Sequence, residues 1–231
     1  IHARPEKSGA VEMATPGNFI IINGDSAWSG IIRNFSVIES RGQAEFAIWG
    51  ESVSSIKGQT YNPYDLTRTP GGSSGGTGAA LAANFGLVGI GTDTINSIRS
   101  PSSANNLVGI RPTVGLVNDL TQDTAGPMAR NVADAAALLK VIAMRDLPES
   151  ETSGRPKIGL LKSFVGIEPV NEEVNKVMAC VIEELGNMGA EIVEIHEDIQ
   201  SADLVSNVSV HLYDLKAHLN SYLEGVHAPY P

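Results

Sequence analysis

Two serine-bearing loops constrain this chain more than any other feature of its sequence. The first, residues 61–78, reads YNPYDLTRTPGGSSGGTG. Asn, Pro, Asp, Gly and Ser dominate it, so it reads as a loop. A loop of that length within a compact domain is often functional. The second, residues 92–106, reads TDTINSIRSPSSANN and is also polar. Between the two, small residues from Gly75 to Asn84 predict a short helix able to pack closely on a sheet, and Leu87 to Gly91 (LVGIG) predicts a buried strand. Helix and strand run in opposite senses, so the chain returns and the loops meet. Ser97, 24 positions after Ser73, thereby comes to the same end of the unit.

The chemistry of the glycine-rich loop is open on these residues alone. A phosphate cradle needs G-x-x-x-x-G-K-[ST] or G-x-G-x-x-G, and neither occurs in GGSSGGTG. A flexible linker is one alternative. A hydrolase loop is another, because glycine permits backbone shapes that present N–H groups and hydroxyls together. A serine triad of the usual kind needs a histidine base. The histidines are His2, His196, His211, His218 and His227, and none lies in a recognisable catalytic motif. A lysine whose pKa is pulled down to about 7–8 by its surroundings is the other available base.

Further along, Leu107 to Ile110 predicts a second short strand. Asn131 to Met144 predicts a helix capped by Asn131, with apolar residues at 135, 138, 139 and 142 on one face. Residues 147–156 (LPESETSGRP) mark an internal boundary. Lys157–Leu161, a long helix after Asn171, and Glu191–Ile195 form a strand–helix–strand unit, which predicts parallel pairing. Gly189 stops that helix. A final helix is expected from Asp203 to Leu223. Phe19 to Ile22 reads as a short strand, and Arg41 to Trp49 as a short helix or extended piece. The alternation indicates an α/β protein with helices covering a sheet.

Composition excludes several function classes. The net charge of −10 and the lack of a Lys/Arg cluster argue against a nucleic-acid partner and against an anionic membrane surface. No stretch reaches the roughly 18 apolar residues of a membrane span. The single cysteine, Cys180, cannot form an intrachain disulfide, which favours a reducing compartment and so the cytoplasm. It sits in the apolar helical pattern VMACVIEEL and is expected in the core.

TPGGSSGG, then GTDTINSIRSP, then VGIRPTVGLV and TQDTAGPMARNVADAAALL, resemble in order the blocks of the amidase-signature family. The match is clear from about Asn62 to Asp134 and weaker to the C-terminus. The resemblance implies an α/β fold with a mixed sheet covered by helices on both faces, spanning residues 1–231 and incomplete at the C-terminus, since family members are much longer. It implies C–N hydrolysis of a small or natural-product amide by a Ser–cis-Ser–Lys triad, with no metal and no organic cofactor. Ser97 matches the nucleophile and Ser73 the cis-serine. Lys7, in PEKSGAVEMATPG, is the upstream lysine in a matching region. The backbone N–H groups of Thr94, Ile95, Asn96 and Ser97 match the oxyanion hole. Ser74, Asp93 and Arg99 match supporting residues. Ile95 and Asn96 stand where many members have Gly-Gly.

Two other readings compete. One is a catalytically impaired remnant that serves as a binding or partner protein. The other is one subunit of a transamidase that works on charged tRNA, against which the acidic charge weighs. A homodimer is left open.

Overall fold

The alternation within LVGIG explains how one strand supports a layer on each side. In the computed structural model, which describes residues 21–23, 36–38, 50–54, 58–117, 121–147 and 154–224, this segment begins a strand at Val88–Asp93 (β5). Successive side chains of a strand point to opposite faces. Val88 and Ile90 face one way, into a cluster with Ala125, Ala129, Ala135 and Leu138. Gly89 and Gly91 face the other way. A Cβ on Gly89 would lie 2.6 Å from Thr77, and one on Gly91 would lie 2.9 Å from both the Ser74 hydroxyl and Met128. One face of the strand is thus apolar bulk, and the other is bare backbone that a helix can approach.

That helix is α1, Gly75–Ala82. It contains Gly75, Gly76 and Gly78, each costing about 0.5–1 kcal/mol relative to alanine. Propensity does not explain it; close packing does. The Thr77 hydroxyl donates to the Ile90 carbonyl at 3.2 Å, and a Cβ on Gly78 would lie 2.8 Å from the Asn105 side chain.

Strand β5 lies in a five-stranded sheet with β1 (Ile21–Asn23), β2 (Ser36–Ile38), β6 (Val108–Gly109) and β7 (Thr124–Ala129), in the order β2-β1-β5-β7-β6. Every pairing in it is antiparallel. The pairing of β5 with β7 runs from Val88 opposite Ala129 to Asp93 opposite Thr124. Helix α3, Val132–Ile142, buries Ala135 and Leu138 against the apolar face. Asn131 caps it, accepting from the Asp134 N–H at 2.9 Å. Leu81, Ile98 and Met128 pack on the opposite face. Helices therefore cover both faces, as expected. A two-stranded piece, β3 (Val53–Ser54) with β4 (Gly58–Gln59), precedes α1.

Two elements depart from the sequence reading around the second loop. Residues 92–106 are not wholly loop: β5 runs on to Asp93, and Arg99–Ala104 forms a short helix, α2. Strand β7 has no signal in the sequence, because TAGPMA has neither alternation nor β-branched enrichment; it is buried on both sides, so every residue is apolar or small.

The chain divides into two units, Ile1–Leu147 with Val210–Pro231, and Pro148–Ser209. In the second, β8 (Lys157–Leu161) and β9 (Glu191–Ile195) pair in parallel, as the strand–helix–strand pattern predicts. The connecting helix α4, Glu172–Asn187, carries Glu172 and Glu173 in its first turn, where they favour the helix dipole. Asn171 does not cap it. It already belongs to a 3₁₀ turn begun by Pro169 and makes no capping bond. Gly189 has φ +101° and ends the helix, as expected. Cys180 is exposed, contrary to the expected core placement. Val174, Val177, Met178 and Val181 on α4 are exposed too. Among the described residues of this unit the helix meets β9 and the short 3₁₀ turn at Pro169–Asn171, a surface too narrow to cover the whole apolar stripe. The expected single helix over 203–223 is two: α5 (Ser201–Val208) and α6 (His211–Leu223). Ser209 between them is extended, in a Val-Ser-Val stretch of weak helix propensity. Residues 19–20 and 41–49 lie outside the described residues.

Candidate active site

Ser73 lies on the glycine-rich loop, and the Gly72–Ser73 peptide bond is cis. Its side chain is fully buried, and its hydroxyl has no hydrogen-bond partner among the described residues. A buried hydroxyl without a partner is uncommon. Here it lies in a loop whose backbone is held from several sides. The Ser52 hydroxyl donates to the Gly71 carbonyl at 2.8 Å and accepts from the Gly75 N–H at 3.0 Å. Asn105 Nδ2 donates to the Pro70 carbonyl at 2.7 Å and to the Pro101 carbonyl at 2.8 Å. Gly71 has φ +73°, and a Cβ there would lie 2.8 Å from the Ser100 hydroxyl, so glycine is needed twice over.

Ser74 joins the two loops. Its N–H donates to the Ser97 carbonyl at 3.3 Å. Its hydroxyl accepts from the Thr92 N–H at 3.1 Å and donates to the Thr92 carbonyl at 3.2 Å. The loop carrying Ser73 is thus fastened directly to the strand end and the loop carrying Ser97. Ser97 itself is half-buried, just before α2.

Asp93, fully buried at the end of β5, organises the turn to Ser97. Its Oδ2 accepts from the Ile98 N–H at 3.0 Å and from Arg99 Nε at 3.2 Å. Its Oδ1 accepts from Arg99 Nη2 at 3.2 Å and Arg111 Nε at 3.3 Å. Arg99 also donates to the Ile95 carbonyl. The carboxylate therefore closes a ring over residues 93–99. The N–H groups of Ile95, Asn96 and Ser97, inside that ring, have no acceptor among the described residues. A run of N–H groups without protein acceptors next to a serine is an arrangement that can receive a developing oxyanion.

Several of these residues carry no signal of their own in the sequence. Ser52 sits in ESVSSIKGQ, which matches no motif. Arg111 and Asp123 lie within the blocks VGIRPTVG and TQDTAGPM, where spacing alone assigns them no role. Asp123 Oδ1 accepts from the Thr94 hydroxyl at 3.0 Å. Burial pushes the Asp123 carboxyl above the ordinary aspartate range, against the opposing hydrogen bond from Thr94. Lys7 lies outside the described residues. Among the described residues there is no cluster of three or more His, Cys, Asp or Glu able to hold a metal ion. None of the described helices is long and apolar enough to cross a membrane. An open groove of about 500 Å³ beside α4, lined by Gly166, Glu168, Glu172 and Lys176, contains none of the serines.

Known proteins share this arrangement of chain. A glutamyl-tRNA(Gln) amidotransferase subunit of Pediococcus pentosaceus is 39% identical over 181 residues, covering 69% of this chain and 37% of that protein. The same-named subunit of Brachyspira hyodysenteriae is 35% identical over 213 residues, covering 82% of this chain and 44% of that protein. The chain thus spans less than half the length of these curated relatives. Among solved structures, the native peptide amidase from Stenotrophomonas maltophilia superposes with a TM-score of 0.66 at 34% identity, covering 86% of this chain and 45% of that one. The Amidase family profile matches residues 42–226. On that match, which takes in both serine loops and most of the described structure, the chain belongs to the Amidase family.

Proposed function

We propose that this chain carries the serine centre of an amide hydrolase, with Ser97 as nucleophile, Ser73 as proton relay and Lys7 as base. The observation that carries the reading is the buried Ser73 hydroxyl, without a hydrogen-bond partner among the described residues, in a loop whose next residue bonds the Ser97 carbonyl. A relay hydroxyl has to be withdrawn from water and left available for a reacting partner, and this one meets both conditions. In the proposed reaction the neutral lysine draws a proton through Ser73 from the Ser97 hydroxyl. Ser97 Oγ attacks the amide carbonyl, and the N–H groups of Thr94 to Ser97 receive the oxyanion. The amine leaves with a proton returned by the relay. Water then attacks the acyl-enzyme, and Ser97 regains its proton. Asp93, Arg99 and Ser74 hold the loop and do not react. The substrate class is a small amide, and the lone cysteine supports a reducing, cytoplasmic setting.

A fluorophosphonate probe tests this directly. Wild-type protein is expected to be labelled at Ser97, located by peptide mass spectrometry. Ser97→Ala removes the label, and Ser73→Ala and Lys7→Ala slow it by at least about 100-fold, the range for loss of general-base assistance. Folded wild-type protein that takes no label sinks the hydrolase reading.

A second reading has its own support, since the relatives quoted above at 35–39% identity are named as amidotransferase subunits. On it, the same serine chemistry releases ammonia for a partner protein. Glutamine-dependent ammonia release that rises on adding the partner favours it; hydrolysis of simple amides without a partner counts against it.

A further inference from the structure

We propose that Asp123 is a positioning residue of this site, holding through the Thr94 hydroxyl the origin of the loop that bears the oxyanion donors and Ser97. The inference rests on the hydrolase reading above and adds a residue to it. The geometry comes from the sheet. The last register pair of β5 and β7 is Asp93 opposite Thr124. One step further out, Thr94 and Asp123 are the first residues beyond the ladder, one on each of the two paired strands' extensions. Their side chains meet, with Asp123 Oδ1 accepting from Thr94 Oγ1 at 3.0 Å. The backbone ladder ends where the loop has to begin, and this side-chain bond extends the tie by one residue. Arg111 braces the same corner from the other side, donating to Asp93 at 3.3 Å and to the Gln122 carbonyl at 2.9 Å. Asp93 thus anchors the far end of the loop at Ile98, and Asp123 its near end at Thr94.

The charge environment fits a placed carboxylate. Among the described residues, the groups acting on Asp123 include the Thr94 hydroxyl, the Thr124 N–H, Asp93 and Arg111. Burial and the Asp93 charge push its pKa up, while Thr94, Thr124 and Arg111 pull it down. Holding a carboxylate where burial opposes its charge is costly, and sites of function are where such costs are commonly retained.

Two measurements on the full 231-residue chain decide the matter. The first needs no catalysis. The carboxyl titration of Asp123 is followed by NMR in wild type, Thr94→Val and Thr94→Ser. Removing the hydroxyl in Thr94→Val should raise the midpoint, and Thr94→Ser should restore it. An unmoved midpoint in Thr94→Val overturns the proposal. The second is the rate of Ser97 modification by the fluorophosphonate. Asp123→Ala and Thr94→Val should each lower the maximal rate about tenfold with probe affinity unchanged. The double variant should be no slower than either single one, and Asp123→Asn, which keeps an acceptor oxygen, should label near the wild-type rate. Losses that multiply in the double variant, or Asp123→Ala labelling at the wild-type rate, overturn this inference and leave the hydrolase reading standing. Wild-type protein that is folded yet unlabelled overturns the hydrolase reading itself and this inference with it.

Discussion

Replacing Asp93 by alanine should be among the most damaging single changes in the first unit, and its cost can be built from the contacts. The carboxylate is fully buried. Its bond from the Ile98 N–H, at 3.0 Å, involves a charged acceptor and is worth about 1.5–3 kcal/mol. Arg111 is three-quarters buried and loses its carboxylate partner while keeping the Gln122 carbonyl, adding about 1–2 kcal/mol, the lower part of the cost of an unsatisfied buried donor. Arg99 is 54% exposed, so its ion pair contributes only about 0.2–1 kcal/mol after solvent screening. The sum, about 3–6 kcal/mol, overlaps the usual cost of about 3–5 kcal/mol for breaking a buried charged pair. Against a total stability of about 5–15 kcal/mol this is a large fraction. With a urea slope of about 1–3 kcal/mol per molar, the midpoint should fall by about 2 M. Arg99→Ala, losing only the exposed pair, should cost about 1 kcal/mol or less. Urea titration followed by circular dichroism measures both. If Asp93→Ala and Arg99→Ala shift the midpoint equally, or neither shifts it, the carboxylate does not hold the loop in the way described.

Other consequences can be checked on the same samples. Asn131→Ala removes the cap of α3 and should cost about 1 kcal/mol, whereas Asn131→Gly should cost a few tenths, both read as midpoint shifts. Gly91→Ala places a methyl 2.9 Å from both the Ser74 hydroxyl and Met128, and should destabilise by about 1–3 kcal/mol while slowing Ser97 labelling, because it pushes on the residue that joins the loops. Burial raises the Asp123 pKa in the folded state, so the folded chain binds that proton more readily than the unfolded one. Its contribution is then most favourable below the unfolded value of about 3.9 and is lost as pH rises through the raised folded value. Asp123→Asn should therefore be more stable than wild type at neutral pH. That advantage should shrink as pH falls through the folded titration point; an advantage that is constant with pH, or that grows on acidification, contradicts the burial argument.

Part of this protein was legible from its residues in order. Ser73, Ser97, Asp93 and Arg99 sit in contiguous blocks, and the resemblance of those blocks to a known family is what marks them. The strand LVGIG, the capped helix after Asn131 and the parallel unit at 157–195 follow from periodicity and punctuation, which are local properties. What needed the folded chain was everything set by strand register. Nothing in TAGPMA announces a strand, yet its pairing puts Asp123 beside Thr94, 29 positions away. Nothing in ESVSSIKGQ announces that Ser52 will reach under the glycine loop to Gly71 and Gly75. The exposure of Cys180 follows the same rule in reverse. A helical stripe shows which residues share a face, but burial depends on how wide a surface meets that face, and only the tertiary structure determines that width.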